Sequence, residues 1–225
     1  PDRVLWELCL GGLAAGYAVP QYSIHRGDLQ MILFEAAKAQ LPKDAIRTGL
    51  TLTGFTQDAG GVRAEFEDRQ SGNTHALTAD CMIAADGIHS TARKVFYPDE
   101  GPPRFSGRML WRATTLAAPF LTGRSMVWAG HERQKFVCYP ISEAARRDGR
   151  SLVNWIAELQ VPIDATPPRS DWNKRVDKSV FREPFASWRF GWLDVPDLID
   201  RADAIYEFPM VDRDPVGRWT HGRVT

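Results

Sequence analysis

The sequence predicts an α/β chain, of the α+β kind, in which part of a ligand-binding domain carries an inserted mixed β-sheet. Three observations predict it. An apolar run, Cys81 to Ala85, reads as a buried strand that stops at Asp86-Gly87, with Ser90 and Arg93 in the polar segment that follows. A single long stretch, Gln21 to Leu41, has helical spacing of its apolar residues. Beyond Pro98 the texture changes to strand-like runs rich in aromatic residues. Ligands of open α/β sheets sit at the carboxyl ends of strands, and Gly87 permits a sharp turn there, so Asp86-Gly87 is the first place to look for a site.

Composition narrows the class. The 225 residues are 44% hydrophobic and 25% charged, which suits a globular protein with a core of real size. Lys+Arg and Asp+Glu both number 28, and a formal net charge of +0 argues against a dedicated nucleic-acid binder. No apolar stretch reaches the roughly 20 residues of a membrane span, and no signal-peptide pattern is present. A cytoplasmic protein without a membrane partner is expected. Cys9, Cys81 and Cys138 lie far apart in apolar settings. They read as buried free thiols, with no C-x-x-C spacing for zinc and no disulfide framework. The chain opens on Pro1 and stops at Thr225 in mid-strand pattern, which reads as a fragment.

Taken in order, V-L-W-E-L-C-L followed by G-G-L-A-A-G invites a phosphate-loop reading. The spacing of Gly11, Gly12 and Gly16 does not make G-x-G-x-x-G, and Pro20 follows too soon, so a glycine-rich turn is expected. In the predicted helix, Leu29, Ile32, Leu33, Ala36, Ala37 and Leu41 recur on one face, Ser23 or Asp28 caps the start, and Pro42 closes it. Arg26 then stands where the helix dipole is positive, an awkward place for a cation unless an anion binds beside it. Residues 46 to 78 alternate as an antiparallel meander with turns at Ala59-Gly60-Gly61 and Ser71 to Asn73. Asp99-Glu100-Gly101-Pro102-Pro103 reads as a linker. The runs R-M-L-W-R-A-T-T, S-M-V-W-A-G, K-F-V-C-Y-P-I and S-L-V-N-W-I-A-E-L then predict a mixed or antiparallel sheet. Short helices around Phe181, Phe185, Trp188 and Trp192 follow, then a strand A-I-Y-E-F-P-M-V, a turn at D-R-D-P-V and a last strand G-R-V-T.

Side-chain chemistry of its own is poorly supported. There is no G-x-S-x-G elbow, the five histidines are scattered, and no H-x-x-x-H spacing points to a metal. If the chain is enzymatic, a bound cofactor carries the hard chemistry.

Three motifs in register make the sequence recognisable: S-I-H-R-G-D-L-Q (Ser23 to Gln30), A-A-D-G-I-H-S-T-A-R (Ala84 to Arg93) and V-D-R-D-P-V-G-R-W-T-H-G-R-V-T (Val211 to Thr225). Together they resemble the FAD-dependent aromatic hydroxylases of the p-hydroxybenzoate and salicylate hydroxylase type, nearest to the phenazine-modifying branch. The resemblance implies a PHBH-like FAD/NAD(P)-binding fold. The family's opening G-x-G-x-x-G and its G-D-A-A-H segment are not among these residues, so a central portion is implied. It further implies domains at 1–98 (FAD-binding, in part), 99–208 (substrate-binding sheet) and 209–225 (return to the FAD domain).

The family roles carry over residue by residue. Arg26 resembles the arginine that contacts FAD, which would supply the anion its helix end calls for, and Gln30 lies one turn on, on the same face. Leu52 resembles the position whose backbone meets the adenine. Asp86 and Gly87 match the motif that serves FAD and reduced nicotinamide, with Ser90 and Arg93 bracing the loop. Asp212, Arg213 and Pro215 read as a structural turn. Substrate-lining candidates are Trp111, Arg112 and Tyr139, with Trp128, Phe136 and Trp155 in the same aromatic-rich sheet. Alternation puts Trp111 and Arg112 on opposite faces, and Arg112 has the geometry to pair a substrate carboxylate. The implied activity uses FAD, NADH or NADPH and molecular oxygen to hydroxylate a small aromatic substrate by way of a flavin C4a-hydroperoxide. Assembly as a homodimer falls within the expectation. The alternatives are another FAD oxidoreductase, a halogenase or dehydrogenase, or a non-catalytic relative that does not hold FAD.

Overall fold

The computed structural model describes residues 12–163 and 174–225. Cys9, the first predicted strand and the proline loop at 165–170 lie outside the described residues. The chain divides into two compact units. One holds Glu35–Phe105 and Val211–Thr225, the other Ser106–Met210 and the described residues up to Phe34. A 3-10 turn at Leu13–Ala15 ends on Gly16, whose φ is 85°, so the glycine-rich stretch is a turn as its spacing predicted.

Helix α1 spans Arg26–Gln40, beginning five residues later than expected. Ser23 lies upstream and Asp28 inside the first turn, so neither immediately precedes the helix as a cap. Asp28 still sits favourably at the positive dipole end. Pro42, which has no N–H, stops the helix just after the Leu41 N–H bonds to Ala37.

The first unit is built on an antiparallel meander of β1 (Leu50–Asp58), β2 (Gly61–Asp68) and β3 (Thr74–Ala79). Its turns are set by aspartates that accept backbone N–H groups. Asp58 Oδ1 accepts from Gly60 at 2.7 Å, and Asp68 Oδ1 from Gln70 at 2.9 Å and Ser71 at 2.8 Å. At Gly61 a Cβ would lie 2.7 Å from the Ala79 carbonyl oxygen, so only glycine lets β2 approach β3 there. A bulge between Leu52 and Gly54 bends β1.

The run Cys81 to Ala85 is extended but not buried, which corrects the expectation. Met82 bridges Val224 in parallel, and the Ala84 N–H bonds to the Thr225 carbonyl. Ile83 is 77% exposed and Cys81 is also exposed. Among the described residues this segment has a strand partner on one edge only, so apolar sequence did not secure burial. Cys138 is buried as expected, and desolvation pushes its thiol up to about 12, which keeps it inert. The chain then enters α2 (Thr91–Phe96).

The second unit is a six-stranded sheet. Its strands are β4 (Arg104–Ala117), β5 (Val127–His131), β6 (Gln134–Pro140), β7 (Ser151–Gln160), β8 (Arg175–Val176) and β11 (Ile205–Asp212). Helix α3 (Glu143–Arg147) joins β6 to β7. Short strands β9 (Arg189–Phe190) and β10 (Leu193–Asp194) form a separate pair. The sheet order is β5-β6-β7-β4-β11-β8, and β5-β6, β6-β7, β4-β7 and β8-β11 pair antiparallel. One face carries the core, with Trp111, Phe136, Val153, Trp155 and Ala157 packed against Phe181, Phe185 and helix α4 (Val195–Asp200). Asp194 caps α4 by accepting the Asp197 N–H at 2.9 Å. No described helix is long and apolar enough to cross a membrane.

The packing of this unit makes two substitutions informative. Gly130 has φ 111°, and a Cβ there would lie 2.2 Å from the Gln134 carbonyl oxygen. Gly130→Ala is expected to destabilise the fold by about 2–3 kcal/mol through overpacking, read from the urea midpoint. Asp200 pairs with Arg182 at 2.5 Å and Lys178 at 2.9 Å. The Arg182 hydrogen bonds, with those of Lys178, pull its carboxyl from 3.8 down to about 2. A depressed carboxylate stabilises the fold above its unfolded value and loses that contribution as pH falls through the folded one. Asp200→Asn is therefore expected to flatten the loss of stability between pH 3.8 and about 2, as measured by denaturation across that range.

Candidate functional site

The Asp86-Gly87 turn is fixed from its C-terminal side. Asp86 Oδ2 accepts the Thr91 N–H at 2.7 Å and the Ala92 N–H at 3.3 Å, while Ser90 Oγ caps α2 by accepting the Arg93 N–H at 2.9 Å. Burial by itself would raise the Asp86 carboxyl, but hydrogen bonds from Ser90, Ala92 and Thr91 outweigh it and hold the group below its ordinary value. Asp86 is thus a fixed anion engaged with backbone. Gly87 has φ 76°, and a Cβ added there would meet nothing within 4 Å, so its left-handed backbone faces open ground.

Leu52 joins this group through its carbonyl, which accepts from Thr91 Oγ1 at 3.2 Å beside the β1 bulge. A cavity of about 570 Å³ opens against the turn, lined by Asp86, Gly87, Ser90, Arg93, Arg213 and Trp219 among others. Behind two of its lining residues, Arg93 and Arg213, the sequence reading missed Glu100, which lay in the stretch taken as a linker. Its carboxylate pairs with both Arg93 and Arg213. Nothing in D-E-G-P-P signalled those partners, because both come from other segments. Arg223, likewise unforeseen, donates to the Asp58, Ala59 and Asp80 carbonyls and ties the chain's last residues to the meander.

The other predicted residues lie in the sheet unit. Arg26 and Gln30 stand one turn apart on α1, both exposed. Trp111 and Arg112 do occupy opposite faces of β4, as the alternation requires. Trp111 is 4% exposed, stacks on Phe181 at 4.7 Å and donates its indole N–H to Glu207 at 3.1 Å. Phe136 and Trp155 are also in the core, which leaves them no free surface to line a pocket. Their partners on the far side of the core supplied the burial that strand alternation left open.

The opposite face carries Arg112 and Tyr139, each half-buried. The pairings Arg112↔Ile156, Ile156↔Val137, Thr114↔Asn154 and Asn154↔Tyr139 put their side chains on the same side of the sheet. Trp128, opposite Val137, shares this face and is 72% exposed. Arg112 lies over the Phe208 ring at 5.1 Å, and its buried Nε has no hydrogen-bond partner among the described residues. Desolvation first, and then the charge of Arg26, lower the Arg112 pKa, with Tyr139 opposing. Two cations within electrostatic reach and an orphaned donor on a guanidinium lying over one aromatic ring make a site suited to an anion. Among the described residues, no group of three or more His, Cys, Asp or Glu is arranged to hold a metal ion.

Residues 18–183 match the family model described as FAD binding domain. Phenazine 1,6-dicarboxylic acid hydroxylase PhzS of Lysobacter antibioticus is 39% identical over 216 residues, 95% of this chain and 53% of that protein. The 3-amino-4-hydroxybenzoate 2-monooxygenase PtnB3 of Streptomyces platensis is 31% identical over 93% of this chain and 48% of its own length. The chain therefore spans about half the length of the curated relatives it matches. Klebsiella pneumoniae HpxO, solved with FAD and uric acid, superposes with a TM-score of 0.67 at 22% identity, covering 92% of this chain and 47% of that one. A salicylate hydroxylase substrate complex superposes at 0.63 and 22% identity, over 89% of this chain and 49% of that one. These structures share the PHBH-like fold that the motifs implied. With the family model covering most of its length and the expected fold in place, the chain belongs to the family described as FAD binding domain.

Proposed function

We propose that this chain supplies part of an FAD-dependent, NADH- or NADPH-using monooxygenase that hydroxylates an aromatic or heteroaromatic carboxylic acid. In this reading residues 1–98 and 209–225 serve the cofactor and residues 99–208 the substrate. The observation that carries it is Arg112, a half-buried guanidinium with an orphaned Nε, beside Tyr139 and within the field of Arg26. The relatives' names support it: a phenazine dicarboxylic acid, an aminohydroxybenzoate and a 6-hydroxynicotinate are the compounds they carry.

The residues present fit FAD. Gly87 leaves its backbone open to close approach, and Arg26 stands exposed at the start of α1, where an anionic cofactor group would be welcome. Arg26, Gln30, Leu52, Asp86 and Gly87 would hold it. When bound, FAD would accept two electrons from the reduced nicotinamide and allow molecular oxygen to deliver one atom to the ring, the other leaving as water. Arg112 and Tyr139 would hold the substrate through its carboxylate and ring, and the buried Trp111 would keep the strand that presents Arg112 rigid. No side chain need act as nucleophile.

The test is a visible absorption spectrum of the purified protein with FAD added, followed by nicotinamide oxidation with and without aromatic acids and mass analysis of the product. Flavin bands and a gain of one oxygen are expected. A chlorinated or desaturated product would favour the halogenase or dehydrogenase alternative, and absent flavin bands would favour the non-catalytic one.

A further inference from the structure

We propose that Glu100 and Arg213 are positioning residues for the Asp86-Gly87 turn, setting cofactor affinity without touching the cofactor; this rests on reading that turn as part of the FAD site. The geometry is a shared carboxylate between two arginine forks. Glu100 accepts from Arg93 Nε at 2.8 Å and from a second Arg93 nitrogen, and from Arg213 Nη1 at 2.8 Å. Side-chain exposures of 18%, 19% and 7% for Arg93, Glu100 and Arg213 keep the group largely out of solvent.

The remaining donors are aimed at backbone. Arg213 Nε donates to the Ile88 carbonyl at 2.8 Å, the residue directly after Gly87, and its Nη1 also reaches the Gly101 carbonyl at 3.0 Å. Arg93 Nη2 donates to the Asp214 carbonyl at 2.7 Å. Asp86 secures one side of the turn through its bonds to the start of α2. Arg213 secures the other at Ile88, just past a glycine whose φ of 76° has open space around it.

Glu100 makes that hold feasible. Two guanidiniums this close repel unless one carboxylate neutralises and aims both, and the fork geometry suits arginine in a way a lysine cannot copy. Arg93 first, and then Arg213, hold the Glu100 carboxyl below its ordinary value, so it stays charged at neutral pH. The stretch that reads as a linker thus supplies the keystone of the turn.

The experiment uses Glu100→Gln, Arg213→Lys and their double variant, with Asp86→Ala as the control on the underlying reading. Amide hydrogen exchange of residues 86–90 is measured without FAD, and FAD dissociation constants by flavin fluorescence. Each single variant is expected to speed exchange in the turn, leave β1 and β2 unchanged and weaken FAD about tenfold. The double variant is expected to be no worse than the weaker-binding single variant, since the two act as one unit. If Glu100→Gln does not fold, Arg213→Lys, which keeps the charge, carries the test alone. FAD affinity within twofold of the parent, or exchange accelerated equally across the meander, overturns the proposal while Asp86→Ala still weakens FAD. If Asp86→Ala leaves FAD affinity unchanged, the cofactor reading of the turn fails instead.

Discussion

Replacing Arg112 with methionine is expected to raise the KM for an aromatic carboxylate about 100-fold while the sheet stays folded. A desolvated, charge-assisted pair contributes about 1.5–3 kcal/mol, and about 2.7 kcal/mol corresponds to 100-fold. The fold should tolerate the change because Arg112 Nε makes no hydrogen bond among the described residues, and removing a guanidinium near Arg26 relieves repulsion. Methionine keeps an apolar stem against Phe208. The decisive measurement pairs the variant with a substrate amide that lacks the carboxylate charge. The parent enzyme should lose about as much affinity for the amide, and the variant should lose little further. A KM shift below fivefold would remove Arg112 from the substrate site. Lysine should not restore binding fully, since a point charge does not reproduce the two-pronged geometry.

Trp155→Ala is expected to cost about 3–5 kcal/mol of stability, enough to unfold much of a marginal protein at 37 °C. The side chain is 0% exposed, with Phe136 at 5.7 Å and Phe181 at 6.2 Å between ring centroids. Its indole N–H donates to Thr115 Oγ1 at 3.0 Å, and that hydroxyl donates to the Leu198 carbonyl at 2.7 Å. Truncation removes the centre of this chain of contacts and leaves a cavity between β7 and α4. Trp128→Ala on the other face, where the ring is 72% exposed, should change stability by less than about 0.5 kcal/mol. Denaturant titrations of the two variants side by side check the contrast. Equal losses would mean that the core is not where the buried tryptophan places it.

Local chemistry made several elements legible. The meander followed from alternating residues and from turns at Ala59-Gly60-Gly61 and Ser71 to Asn73, which short-range hydrogen bonds to Asp58 and Asp68 hold in the structure. The opposite orientation of Trp111 and Arg112 followed from the two-residue repeat of a strand. Helix α2 was not foreseen, since the stretch reads as a polar segment after the turn, although its cap, Ser90 Oγ accepting the Arg93 N–H, is a contact between neighbours. The start of α1 was not legible either, because Ser23 and Asp28 are both good capping residues and the sequence does not choose between them.

Partners distant in the chain decided the rest. Trp128 and Trp155 look alike in sequence, yet one is open and the other buried, because Phe181 and Phe185 pack on only one face of the sheet. Cys81 and Ile83 sit in as apolar a run as any core strand, but burial needs a covering surface, and apolar sequence cannot provide one for itself. Glu100 gained its role only when folding brought Arg213 from 113 residues away onto its carboxylate. The sequence by itself determined the period of each element, the chemistry of its turns and the position of the Asp86-Gly87 turn. The tertiary structure decided which face is core and what holds that turn in place, because burial and long-range charge pairing are properties of neighbours in space.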